Sequence, residues 1–239
     1  MSRPPGAGGT PSAGLRLNTP TLHINRPRVP DEQSLADRAY YAIREWIVTL
    51  DLPPGSVVNE RELMGRLGVG RTPVREALRD LAREQLVEVF PRRGMFVSSV
   101  DVGDIAGLSE VRLLLESEAA RLAAERRGDG DLEETDALLE ELDAAAGERD
   151  ARGLIDLDQR IHRHVARCAQ NPFLETTLEE YYVLALRIWF VALDRVALDE
   201  AIAEHHAILE AIRDGDPGRA EAVMRAHVES FERAIRAVL

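Results

Sequence analysis

Hydrophobic positions recur at helical spacing from Ser34 onward. Leu35, Ala39, Ala42, Ile43, Trp46, Ile47 and Leu50 fall three and four residues apart, the period of one buried helix face. Asp51-Leu52-Pro53-Pro54-Gly55 stops that helix with two prolines and a glycine. Asn59 is placed to cap a short second helix, with Glu62 as the reciprocal partner of a capping box. Gly68-Val69-Gly70 interrupts it, and Thr72-Pro73 opens a third helix, Pro73 suiting the first helical position. Val74, Ala77, Leu78 and Leu81 make its apolar stripe, while Arg71, Arg75, Arg79 and Arg83 recur every four residues on the polar side. The pattern then becomes extended. Leu86-Val87-Glu88-Val89 and Met95-Phe96-Val97 flank Pro91-Arg92-Arg93-Gly94, a two-strand ribbon with two arginines at its turn. Three helices and a hairpin in this order outline a winged helix-turn-helix.

After Val100 nothing patterns as a strand. Six helical segments are expected, at about 102–127, 131–149, 152–170, 172–194, 196–214 and 217–238. Gly128-Asp129-Gly130, Gly147 to Gly153, Asn171-Pro172 and Gly215-Asp216-Pro217-Gly218 separate most of them; the join near Asp194-Arg195 has the weakest signal. Short connections favour antiparallel neighbours. The expected fold is therefore mainly α: a winged helix-turn-helix over 31–99, then an all-α antiparallel bundle over 102–239. Residues 1–30, rich in Gly, Pro, Ser and Thr, carry little periodicity and read as a flexible tail.

Composition narrows the possibilities. At 239 residues, 45% hydrophobic and 30% charged, the chain is globular and long enough for two domains. No apolar run approaches the roughly 18 residues of a membrane span, and Met1 to Pro20 lacks the apolar segment of a secretory signal. The single Cys168 forms no intrachain disulfide and fits a reducing compartment, so a cytoplasmic location is expected. The net charge of −12 is unevenly spread. Residues 31–98 hold ten arginines against eleven acids, whereas 101–239 hold sixteen against thirty-one. Two regions with such different charge imply two kinds of partner.

In the near-neutral region, Arg71, Thr72 and Arg75 stand at the start of the second helix of the helix-turn-helix, the end that enters a major groove. Arginine there reads a guanine edge bidentately. Arg61 lies early in the preceding helix, and Arg92, Arg93 and Gly94 form a slim wing tip. Arg79 and Arg83, interleaved with Asp80 and Glu84, read instead as a solvated ion-paired face.

In the acidic region, Asp158 and His162 are four residues apart and share a helix face. His205 and His227 are equidistant from Asp216 in the Gly-Asp-Pro-Gly turn, so an antiparallel hairpin places them at one height. Together they make a three-nitrogen, one-oxygen set suited to a divalent ion: zinc, nickel, cobalt, iron or manganese. From the residues alone, this shared site and a set of unrelated buried or ion-paired side chains are equally good readings. His164 points to nearly the opposite face, while His206, about 100° around the helix, competes with His205.

Two stretches also resemble known families. Pro53-Pro54-Gly55, Glu60-Arg61-Glu62-Leu63, Leu67-Gly68-Val69 and Arg71-Thr72-Pro73-Val74-Arg75-Glu76-Ala77-Leu78 closely resemble the DNA-binding domain of GntR-family transcriptional regulators. Leu86-Val87 with Arg93-Gly94-Met95-Phe96-Val97 is similar to its wing. Gly70 stands where that family more often has Ser or Thr. The resemblance implies a dimer on duplex operators, contacting them through Arg61, Arg71, Thr72, Arg75 and Gly94. Val111-Arg112-Leu113 with Glu116, Asp158 to His162 with Asn171, Glu204-His205 to Ala211-Ile212 and Met224-Arg225-Ala226-His227 resemble the FCD ligand-binding domain of FadR-type members. Six helices suggest the VanR-like branch. This second resemblance implies a metal site of Asp158, His162, His205 and His227, favouring His205 over His206; zinc or nickel is expected there ahead of the other ions. It also implies a small carboxylic-acid effector near Arg112, whose other reading is a surface ion pair with Glu116. The expected function is a metabolite-responsive regulator, a repressor in most such families. The competing readings are a metal-dependent hydrolase or lyase with an accessory DNA-binding domain, and a metal-free domain for fatty acyl ligands. For the hydrolase no His-Glu-x-x-His pattern is present.

Overall fold

The computed structural model describes residues 34–145, 151–192 and 198–238. The expected tail at 1–30 and the junction near Asp194-Arg195 lie outside the described residues.

In the N-terminal head, α1 (Leu35–Val48) starts at Ser34. The Ser34 hydroxyl oxygen accepts the Asp37 N–H, and the Asp37 carboxylate accepts the Ser34 N–H in return. Such reciprocal bonds satisfy donors that a helix start leaves open. At α2 (Glu60–Leu67) the expected box is one-sided: the Asn59 side chain accepts from the N–H groups of Arg61 and Glu62, with no return bond from Glu62. Gly68 closes α2 in the left-handed region at φ 66°, a conformation that costs glycine little. The third helix, α3 (Arg71–Arg83), begins two residues earlier than Pro73 suggests, with Gly70 as a cap that offers no side-chain bond. Pro73 still falls in the first turn, where a missing N–H costs nothing.

The wing pairs β1 (Val87–Phe90) with β2 (Gly94–Val97), antiparallel, Val87 opposite Val97 and Phe90 opposite Gly94. The sequence pattern gives two strands and one pairing, and the structure adds a second. Val57 bridges to Phe96, flanked by bonds from the Val58 N–H to the Met95 carbonyl and from the Gly55 N–H to the Val97 carbonyl. This lashes the wing to the chain leading into α2.

Among the described residues six helices follow: α4 (Val102–Arg126), α5 (Asp129–Ala145), α6 (Ala151–Cys168), α7 (Pro172–Ala192), α8 (Leu198–Asp214) and α9 (Pro217–Val238). Their order matches the sequence pattern, and so do their limits where these fall among the described residues. Ala119, Ala120 and Ala123 give α4 a small-residue face, and it packs along α9 over Met224 and Val228. Leu138 and Leu142 of α5, Ile161 and Val165 of α6, and Ile208 and Ile212 of α8 complete that core. A second buried cluster begins in the head with Ile43, Val74, Leu78 and Leu86 and continues through Tyr182, Val183, Leu186 and Phe190 of α7. The head is thus seated on α7 through continuous apolar packing.

Candidate metal centre and nucleic-acid interface

The four residues singled out by spacing converge. Ligand atoms of Asp158, His162, His205 and His227 all lie within 4.8 Å of one another. Each arrives for a local reason. Asp158 and His162 are one turn apart on α6. The α8–α9 hairpin turns at Gly215, where φ is 70°, and Asp216 caps α9 by accepting the Arg219 N–H. His205 and His227, each eleven positions from Asp216, are thereby carried to similar height on the two helices.

The His205 Nε2 lies 3.0 Å from Asp158 Oδ1 and 3.3 Å from His162 Nε2, and His162 Nε2 lies 3.8 Å from the same carboxylate oxygen. Two ligands sharing one ion at bonds of about 2.1 Å stand roughly 3–4 Å apart, so these separations suit a common ion. The groups behind the imidazoles add to the fit. Glu116 Oε2 lies 3.1 Å from His162 Nδ1, and Glu204 Oε2 lies 2.8 Å from His227 Nδ1. A carboxylate that accepts from Nδ1 fixes the tautomer leaving Nε2 as the ligating nitrogen. The Tyr182 hydroxyl donates to Asp158 Oδ2.

Electrostatics follow from this packing. Burial works to raise the Asp158 carboxyl, but His205, His162 and the Tyr182 hydroxyl hold it well below the usual carboxylate range. Burial opposes ionisation of Glu116 in the same way, and Arg112 and His162 overcome it. His227 goes the other way: burial and the neighbouring His205 push it down to about 4. His162 is raised; burial lowers it, and Glu116 and Asp158 more than compensate.

Arg112 makes the anticipated ion pair with Glu116, at 2.5 Å. It is a buried pair and not a surface one: Arg112 is 2% exposed and its guanidinium stacks over Phe231. Its Nη1 has no hydrogen-bond partner. A cavity of about 560 Å³ opens beside Glu116, His162 and Tyr182, with Leu178, Met224 and Arg163 among its walls. Arg112 does not line it and meets it through Glu116. His164 is buried away from the centre with its Nε2 2.7 Å from the Thr135 hydroxyl, and His206 is drawn toward Asp143 and Glu210. Glu116, Tyr182 and Glu204 complete the centre and were missed in their roles by sequence reasoning. Only the matching positions of Glu116 and Glu204 within resembling segments hinted at them.

On the head, Arg61, Arg71, Thr72, Arg75, Arg92, Arg93 and Gly94 are all exposed. Arg71 and Arg75 share a partner that spacing does not reveal. Glu60, on α2, receives the Arg75 Nε–H at 3.0 and 3.1 Å on its two oxygens, and Arg71 Nε lies 3.8 Å away. At the wing tip Arg92 has φ 64° and Gly94 φ 100°, and the Arg93 guanidinium stacks over Phe90. The expected pairing of Arg79 and Arg83 with Asp80 and Glu84 holds only for Arg83 with Asp80. Glu84 is turned inward to the Tyr40 hydroxyl and Arg44 instead.

Among the described residues no helix is long and apolar enough to cross a membrane. A family model described as the FCD domain matches residues 107–230, and one described as bacterial regulatory proteins, gntR family, matches residues 35–97. An HTH-type transcriptional regulator from an unstable DNA locus of Streptomyces ambofaciens is 34% identical over 210 residues, covering 80% of each chain. The HTH-type transcriptional repressor RspR of Escherichia coli K12 is 25% identical, over 86% of this chain and 91% of the relative. The solved structure of Escherichia coli McbR/YncC superposes with a TM-score of 0.76 at 23% identity, covering 86% of this chain and 98% of that one.

Proposed function

The chain belongs to the GntR family of bacterial transcriptional regulators, with an FCD domain behind its DNA-binding domain, and we propose that it is a metabolite-responsive repressor that senses a small carboxylic acid beside a divalent metal ion. Membership also answers the hydrolase alternative: the chain is a regulator and not an enzyme. In this reading residues 31–99 dock on duplex operator and residues 102–239 bind the effector and hold the homodimer together.

The observation that carries the proposal is the buried meeting of three imidazoles and one carboxylate beside a cavity large enough for a small acid. Asp158, His162, His205 and His227 hold the ion, with zinc or nickel ahead of manganese, cobalt or iron. A bound divalent ion supplies a Lewis-acidic anchor for carboxylate oxygens. Glu116 and Glu204 orient His162 and His227, and Tyr182 orients Asp158. Arg112, which does not line the cavity, bears on an entering acid through Glu116, which it fixes. Arg71, Thr72 and Arg75 read bases from the first turn of α3, Arg61 supports them, and Arg92, Arg93 and Gly94 follow the neighbouring groove or its phosphates. Glu60 presets the two reading arginines.

Regulation then needs only that the acid prefer one placement of the heads over another, a difference of about 1–3 kcal/mol. Elemental analysis of protein purified without chelator or affinity tag tests the centre. One bound divalent ion per chain is expected, lost in His227→Ala, with operator binding retained. A metal content indifferent to His227→Ala would overturn the centre.

A further inference from the structure

We infer that the cleft between the wing and the helical bundle is a second ligand site, one that takes an organic carboxylate on Arg187. The cleft measures about 860 Å³ and runs between β1, the β2–α4 junction, α4 and α7. Phe90, Leu108, Leu184 and Ile188 supply apolar walls, and Ser99 and Arg187 are among the polar ones. It is separate from the Asp158–His227 centre and shares no lining residue with the cavity beside it.

Arg187 is the reason to expect an anion. Three arginines are buried among the described residues: Arg44, Arg112 and Arg187. Arg44 lies 3.6 Å from Glu84, and Arg112 pairs with Glu116. Arg187, 3% exposed, has no carboxylate within ion-pair distance among the described residues. Its Nη2 donates to the Ser98 carbonyl oxygen and its Nε donates to nothing. Glu88, exposed on β1, acts on it only from farther off. Burial pushes the guanidinium down to about 10, and Glu88, itself a wall of the cleft, opposes that only in part. An uncompensated buried charge is costly, and a carboxylate offers two acceptor oxygens that match a guanidinium edge.

The walls decide the rest of the ligand. A bare phosphate would leave the apolar lining in water, whereas the carbon skeleton of an aliphatic or aromatic acid would cover it. Such a ligand would lie between the DNA-binding head and the bundle, against the Ser98 junction that Arg187 already touches. Its occupancy would bias how the head is held.

The test uses the full-length chain carrying His162→Ala, so that the central cluster takes no part, with hexanoate and inorganic phosphate as probes at fixed ionic strength. Hexanoate is expected to raise the melting temperature saturably. Arg187→Met should weaken its apparent affinity by about tenfold or more, the loss of a charge-assisted contact. Val89→Trp gives a second blockade that leaves Arg187 intact, because Val89 lines the cleft and is 63% exposed, so the fold tolerates it. It should abolish the response. A hexanoate response unchanged in Val89→Trp, or unchanged in a folded Arg187→Met, would overturn the site. So would the absence of any saturable response, or saturation by phosphate with none by hexanoate.

Discussion

The Arg71 and Arg75 side chains of the head are 68% and 57% exposed, whereas those of His162, His205 and His227 in the bundle are 7%, 3% and 4% exposed. The two regions therefore use polar groups under opposite conditions. Exposed arginines act on a polyanion through charge that salt screens, and each contributes little until many act together. Buried imidazoles act through geometry: every neighbour is fixed, and displacing one displaces the rest.

That contrast can be broken or sharpened experimentally. The largest effect is expected from Arg71→Ala combined with Arg75→Ala, which should cost operator affinity about a hundredfold or more in fluorescence anisotropy, at about 1–3 kcal/mol per base-reading arginine. Metal content should stay unchanged, and an operator affinity that survives would place the docking face elsewhere. Next, Glu204→Gln removes the charge behind His227 without touching a ligand. Metal affinity should fall by about tenfold in competition with a chromogenic chelator, with DNA binding intact. A smaller change is expected of Glu60→Gln. Freed from their carboxylate, Arg71 and Arg75 should bind random duplex a few-fold more tightly with a steeper salt dependence, while the preference for operator narrows. Unaltered salt dependence would show that Glu60 does not restrain them.

The mildest effect concerns Cys168, which is fully buried in the bundle. Burial, aided by Asp131, pushes its thiol up to about 12. Its folded pKa lies above the unfolded value near 8.5, so the thiol stays protonated where an unfolded chain would ionise. Alkylation by iodoacetamide at about pH 9 should be slow in the folded protein and fast after denaturation. The stability tied to this group should be lost as pH climbs toward 12.

The two regions also differed in how far the sequence exposed them. In the head, breakers and caps such as Gly68, Asn59 and Gly94 are local signals, and they placed every helix and both strands. In the bundle, the i,i+4 pair on α6 and the symmetric spacing about Asp216 nominated four residues that the structure brings within 4.8 Å of one another, although spacing alone left an unrelated set equally good and the FCD resemblance chose between them. What stayed hidden lies between elements far apart in the chain. Glu60 reaches Arg75 across the turn between α2 and α3, Val57 joins the wing, Glu84 turns to α1, and Tyr182 closes on Asp158. Periodicity tells which face turns inward, but not what waits there. Pairs of that kind are set by tertiary packing, and Arg112 shows the same limit: its i,i+4 partner was legible, its depth was not.

Tyr182 occupies both worlds at once. Its ring belongs to the apolar cluster on which the head sits, and its hydroxyl grips the Asp158 carboxylate among the three imidazoles. A shift of the Asp158 carboxylate would therefore bear directly on that seat. In a chain with phenylalanine at this position the ring could keep its place among those apolar side chains while the carboxylate lost its donor.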